Sequence, residues 1–175
     1  KIFFKIRMIS HFIKMQIEMI IKGLMLDPTT KMPIVILRDN KGDNVLPIWV
    51  GSPEANAIAL QIENVATPRP MTHDLLRNVI QDLKGEVQKI VVCDLKENTF
   101  YAMIYLLVNG EVVAIDSRPS DAIALAVRVK APIFVEESVM SEAKKSDLGP
   151  EKVDQEQLGE WLESLNPEDL GKYKM

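Results

Sequence analysis

The sequence predicts an α+β protein in which two β-β-β-α repeats form one compact core, followed by a C-terminal helical tail. Three observations carry this reading. Short apolar or alternating runs bounded by turn residues recur between positions 16 and 50, and again between 86 and 116. Each series is followed by a proline-led run with the same core, Ala57-Ile58-Ala59-Leu60 and Ala122-Ile123-Ala124-Leu125. The two runs lie 65 positions apart, and that offset also lays strand pattern 34–37 over 99–102 and 45–50 over 110–115. A fixed offset is the mark of an internal repeat. The competing reading is chance similarity between two alanine-rich helices.

The elements follow in order. Positions 16–26 alternate and are rich in Ile, Met and Leu, and Asp27-Pro28-Thr29-Thr30 turns the chain into a second strand at 33–38. The polar stretch 39–44 has hairpin character and leads to a third strand at 45–50. Ser52 reads as the cap of the first helix, with Pro53 at its first position and Glu54 facing its start. Trp49 precedes that corner, at core or rim. Pro68-Arg69-Pro70 then approaches a helix at 73–83 that Thr72 should cap, with Leu75, Leu76, Val79, Ile80 and Leu83 as its core face. Strands are expected at 86–95, 99–108 and 111–116, with Glu97-Asn98 and Asn109-Gly110 as tight turns. The pivotal stretch is 116–125, running from strand into helix, with Pro119 suited to a first helical turn and Asp121 near the positive end of the dipole. A short strand at 133–135 and a short helix at 136–143 follow. Leu158, Trp161, Leu162 and Leu165 then form a narrow helical stripe that must dock on the domain or on a partner subunit.

The domain plan is a basic apolar extension at 1–15, a body at 16–140, and a linker with helical tail at 141–175. The chain of 175 residues is 47% apolar and 26% charged, ordinary for a soluble protein with a real core. Cys93 is the sole cysteine, so no internal disulfide forms and a cytoplasmic setting is expected; within 90–95 it reads as strand packing. Residues 1–15 hold Lys1, Lys5, Arg7 and Lys14 without an acid, and no apolar run there could span a bilayer. They read as an upstream extension of the true start or, less readily, as a membrane-surface helix. Net charge is −4 overall, so the chain beyond them carries −8, poor footing for sequence-independent nucleic-acid binding.

No phosphate-binding glycine loop, HExxH, CxxC pair or GxSxG is present, which disfavours hydride transfer and the usual zinc and serine hydrolases. What remains is polar residues at helix starts: Glu54 and Asn56; Arg69, His73 and Asp74; Asp116, Arg118 and Asp121. Two or three carboxylates with a nearby histidine could hold Mg²⁺ or Mn²⁺ and activate water on a phosphodiester. Dipole complementarity alone would also place Glu54, Asp74 and Asp121 there, and Arg118 could simply pair with Asp116 or Asp121.

The runs 46–51, 54–60, 68–76, 98–102 and 116–125, five motifs in order, resemble the bifunctional nuclease domain family, over about residues 16–140. The 158–170 segment is similar to tails of bacterial members. The resemblance implies a compact homodimeric α+β domain and, by the activity of some plant members, a nuclease acting on both DNA and RNA. The UvrB/UvrC-type motif that many relatives carry after the domain is not seen here. The residues carried over from the family's polar motifs are Glu54, Arg69, His73, Asp74, Asp116, Arg118 and Asp121. The working expectation built on them is a metal-assisted phosphodiesterase on DNA and RNA, with Asp116, Asp121 and Glu54 as the metal ligands. His73 would move protons beside Asp74, Asp116 and Asp121, and Arg69 and Arg118 would hold phosphate. The alternative is a non-catalytic ligand- or protein-binding regulatory module of the same fold.

Overall fold

The structure is a computed structural model, and it describes residues 15–27 and 29–145. Seven strands and four helices occur in this part: β1 (Gln16–Leu26), β2 (Pro33–Asp39), β3 (Val45–Trp49), α1 (Ser52–Ile62), α2 (Thr72–Asp82), β4 (Glu86–Lys96), β5 (Thr99–Val108), β6 (Glu111–Ser117), α3 (Pro119–Val129), β7 (Ile133–Glu136) and α4 (Glu137–Lys145). The expected α+β class is what is found, and the order β-β-β-α occurs twice, with α2 between and β7-α4 after. The extension at 1–14 and the tail stripe at 158–165 lie outside the described residues.

All seven strands form one sheet in the order β3-β2-β1-β7-β4-β5-β6. Each half is an antiparallel meander, and β7 joins them, antiparallel to β1 and parallel to β4. The hairpin turns are set by residues that tolerate positive φ. Glu97 and Asn98 sit at 47° and 59°, and Asn109 and Gly110 at 51° and 82°, the pairing that matches the twist of two-residue hairpins.

Side chains alternate across the sheet, and one face carries the helices. Val35, Leu37, Leu46, Ile48, Ile90, Val92, Ala102, Ile104, Ile133 and Val135 share a single cluster with residues of α1, α3 and α4. Helix α3 lies at its centre, with Ala122 through Ala126 buried. Its alanines let the backbone come close to the sheet, while Ile123 and Leu125 each contribute about 2 kcal/mol by leaving water. A smaller cluster, Ile34 and Ile36 with Met25, Val45 and Trp49, lies on the other face. Trp49 is half-buried at that rim and donates its indole N–H to Asp27 Oδ2 at 3.1 Å.

Two expectations about helices are corrected. Ser52 and Thr72 are first helical residues and not caps; Gly51 and Met71 hold the cap positions. At α2 the capping bond comes from the third residue, because Asp74 Oδ2 accepts the Met71 N–H at 3.0 Å. The stripe assigned to the core on α2 is largely solvent-facing: Leu75 is 58% exposed, Val79 45% and Leu83 71%. Of α2, His73 alone is buried, and Ile80 packs partly against the core. Amphipathic spacing shows that a face will be covered but not by what.

Candidate active site where three helices begin

Helix α3 packs against both α1 and α2, so three helix starts come together above the sheet. Glu54 lies in the first turn of α1, His73 and Asp74 in the first turn of α2, and Asp121 in the first turn of α3. Arg118 is the α3 cap residue, held extended at φ −68°, ψ 142° ahead of Pro119. Carboxylates suit these positions because unsatisfied N–H groups and the helix dipole favour negative charge.

Arg118 joins two of the helices. Its Nε donates to Asp121 Oδ2 at 2.7 Å, and its Nη2 donates to Glu54 Oε1 at 2.7 Å and to Asp121 Oδ1 at 3.1 Å. The Nη1 group has no acceptor among the described residues, and the side chain is 66% exposed. His73 comes from α2, its Nε2 3.0 Å from Asp121 Oδ1. Gly51 belongs to the same arrangement. A Cβ at that position would meet Glu54 Oε2, and Arg118 already holds that carboxylate.

The charges follow from these contacts. Burial alone would raise the Asp121 carboxyl, but hydrogen bonds from Arg118 and His73 and the arginine charge outweigh it, leaving Asp121 below the ordinary carboxylate value. The same bonds to Asp121 and Glu54 push the Arg118 guanidinium up. An ionised Asp121 can only accept, so the proton between it and His73 sits on Nε2, and Nδ1 is the basic nitrogen.

A second cluster backs onto the first through the neighbouring residue of α2. Arg128, near the end of α3, is almost fully buried and donates from Nε to Asp74 Oδ1 at 2.7 Å. Its other nitrogens donate to the carbonyls of Ala124 at 2.8 Å and Ala57 at 3.1 Å. For Asp74, burial works against ionisation, but the Met71 N–H and Arg128 more than compensate and the carboxyl is lowered. Arg128 is not among the candidates drawn from the sequence. Its signal was a lone arginine inside the apolar run of a buried helix, where a charge must find partners.

The site residues read from sequence therefore divide. Glu54, His73, Arg118 and Asp121 are brought together. Asp74 and Arg69 line a separate cleft of about 360 Å³ with Arg77 and Arg128. Asp116 joins neither group. It is exposed, its Cα pairs with Met103, and it alternates with Ile115 and Ser117, which share the register of the core residues Ile104 and Ala102. Asp116 thus falls on the face turned away from the helices. Cys93, half-buried on β4, places its Sγ 3.7 Å from the Tyr101 carbonyl.

The expected metal set does not assemble. Among the described residues, no three His, Cys, Asp or Glu side chains converge on one point. Glu54 and Asp121 do face each other, but the Arg118 guanidinium lies between them and supplies the positive charge an ion would bring. These residues, so arranged, do not fit Mg²⁺ or Mn²⁺.

Fold and site together define an α+β protein whose polar centre is tied between helix starts on one side of a mixed sheet. A family model described as bifunctional nuclease domain matches residues 35–147, and the chain belongs to that family. An uncharacterised protein of Mycobacterium tuberculosis is 37% identical over 164 residues, 87% of this chain and 97% of that protein. Bifunctional nuclease 2 of Oryza sativa subsp. japonica is 30% identical over 122 residues, which is 67% of this chain but 38% of the rice protein. Bifunctional nuclease 1 of Arabidopsis thaliana is 31% identical over 107 residues, 59% and 33% of the two chains. No helix among the described residues is long and apolar enough to cross a membrane.

Proposed function

We propose that this chain is a nuclease that hydrolyses phosphodiester bonds in DNA and RNA, with His73, Asp121, Arg118 and Glu54 as its centre. One observation carries the reading. Asp121 holds a histidine and an arginine at once, one able to take a proton and the other able to bind phosphate. His73 Nδ1 takes the proton of a water as its oxygen bonds to phosphorus and the P–O bond to the leaving strand breaks. The imidazolium, steadied by Asp121, then returns the proton to the departing oxygen. Arg118, oriented by Glu54 and Asp121, offers its Nη1 protons to the non-bridging oxygens as charge builds on them. Arg69, in the adjoining cleft, holds a neighbouring phosphate. Family membership and the names of the plant relatives support this class of activity. A single cysteine suits a cytoplasmic setting.

The test is cleavage of labelled single-stranded DNA and RNA in Mg²⁺, Mn²⁺ or EDTA, with an Asp121→Asn protein purified identically alongside. Cutting by the wild type that falls at least about a hundredfold in the variant is the expected result, the usual scale for losing a group that orients a general base. Loss of cutting in EDTA would identify a metal-assisted reaction, which requires Arg118 to leave Glu54 and Asp121. Equal traces from both proteins would mean contamination and favour the regulatory-module reading. The network by which Arg118 neutralises both carboxylates is what supports that second reading.

A further inference from the structure

The cleft beside the centre has a composition at odds with the rest of the chain. Its lining holds Arg69, Arg77 and Arg128 against one acid, Asp74, although the chain as a whole carries −4. Arg128 is fully occupied by Asp74 and two carbonyls, so it lends charge but no free donor. The donors belong to the other two. Arg77 uses Nε and Nη2 on Asn78 Oδ1, at 3.1 and 2.9 Å, which leaves Nη1 without a partner among the described residues. The exposed Arg69 side chain has no hydrogen bond or ion pair among them.

Apart from Gln61 and Thr67, the remaining wall is apolar, with Leu60, Val65, Pro68 and Met71 prominent in it and Val65 48% exposed. The loop is stiffened by Pro68 and Pro70 and by the Thr67 hydroxyl, which donates to the Arg69 carbonyl at 2.8 Å. A preformed wall loses little entropy when a ligand arrives. At about 360 Å³ the cleft stands at the small end of ligand sites, which run from ~300 to ~1,000 Å³.

We propose that this cleft binds a nucleoside monophosphate group, its phosphate between Arg69 and Arg77 and its base against Leu60, Val65 and Pro68. Two guanidinium groups suit a phosphate, and their flat faces also accept a base. A sugar phosphate would leave the apolar wall unmatched, and a bare nucleoside would leave the arginines so. The group comes either from a free nucleotide or from the phosphorylated end of a strand. The site shares Arg69 with the substrate contacts proposed above, but nucleotide binding here does not require cleavage, so the two can be tested separately.

The experiment is calorimetric titration of the full chain with AMP, adenosine, ribose 5-phosphate, and a trinucleotide with and without a 5′-phosphate. AMP should bind more tightly than adenosine and ribose 5-phosphate, and Arg77→Gln should weaken it about tenfold or more, the scale of a charged hydrogen bond. The phosphorylated trinucleotide matching AMP assigns the site to strand ends; a weaker trinucleotide assigns it to free nucleotides. Either supports the proposal. Should Arg77→Gln fail to fold, Arg69→Gln, at an exposed position, carries the same test. Equal binding of AMP and either fragment, or AMP binding unchanged in the folded variants, overturns it. AMP binding without strand cutting would leave this site standing and remove the nuclease reading; cutting without AMP binding would do the reverse.

Discussion

Removing Asp74 strands a guanidinium that is only 2% exposed, with two backbone carbonyls as its remaining partners. Asp74→Ala should therefore cost about 3 kcal/mol in urea denaturation near neutral pH, the lower end for breaking a buried pair. The pH dependence has a defined sign. The Asp74 carboxyl is lowered in the folded state from an ordinary 3.8, so its contribution is fully present above that value. It is lost as pH falls through the lower folded value. The stability gap between wild type and variant should stay constant around neutrality and close in acid. A gap that instead widens on acidification would contradict the pairing. Asp121 is shifted in the same direction, so both carboxylates that order the helix starts lose their hold as the solution is acidified.

At the scale of elements, strand parity decides what a residue can reach. Asp116 and Asp121 are five positions apart in sequence, yet one is on the β6 face that turns from the helices and the other is inside the first turn of α3. Asp116→Asn should keep the cutting rate within about twofold of wild type, the scatter of a surface change, against the loss of about a hundredfold or more expected for Asp121→Asn. A large loss in Asp116→Asn would bring that residue into the reaction. Much of this level was legible in the sequence. The Asn109-Gly110 turn, the Pro119 helix start and nearly all strand limits depend on neighbours in the chain, and local rules suffice for them. His73, Arg118 and Asp121 were legible as candidates for the same reason. The split of Arg69 and Asp74 from them was not, because it depends on how three helices pack. Arg128 needed the same knowledge, since its partners Ala57 and Asp74 are 71 and 54 positions away.

For the whole molecule, the exposed stripe of α2 asks for a cover. Leu75, Leu76, Val79 and Leu83 form an apolar face on one short helix, and contiguous faces of that kind mark interaction surfaces. We propose that a second copy of the chain covers it, since closed two-fold pairing is the commonest arrangement for soluble chains. Sedimentation equilibrium should find a dimer that Val79→Glu with Leu83→Glu converts to a folded monomer. A wild-type monomer would leave the face to another occupant, and a dimer unmoved by the variant would place the interface elsewhere.

Strand β7 is only four residues long, yet it is the seam between the two meanders. Its partner β1 lies more than a hundred positions upstream, with Ile17 opposite Val135. As the chain emerges from synthesis, each meander can form when its own strands appear, but the sheet stays in two pieces until residues 133–136 arrive. Until then both β1 and β4 present bare edges, the kind of surface on which chains mispair. Closing the seam also requires a contact of long sequence separation, which makes folding slow relative to the local hairpins. The order of assembly thus runs opposite to the order of the sheet: its middle is made last.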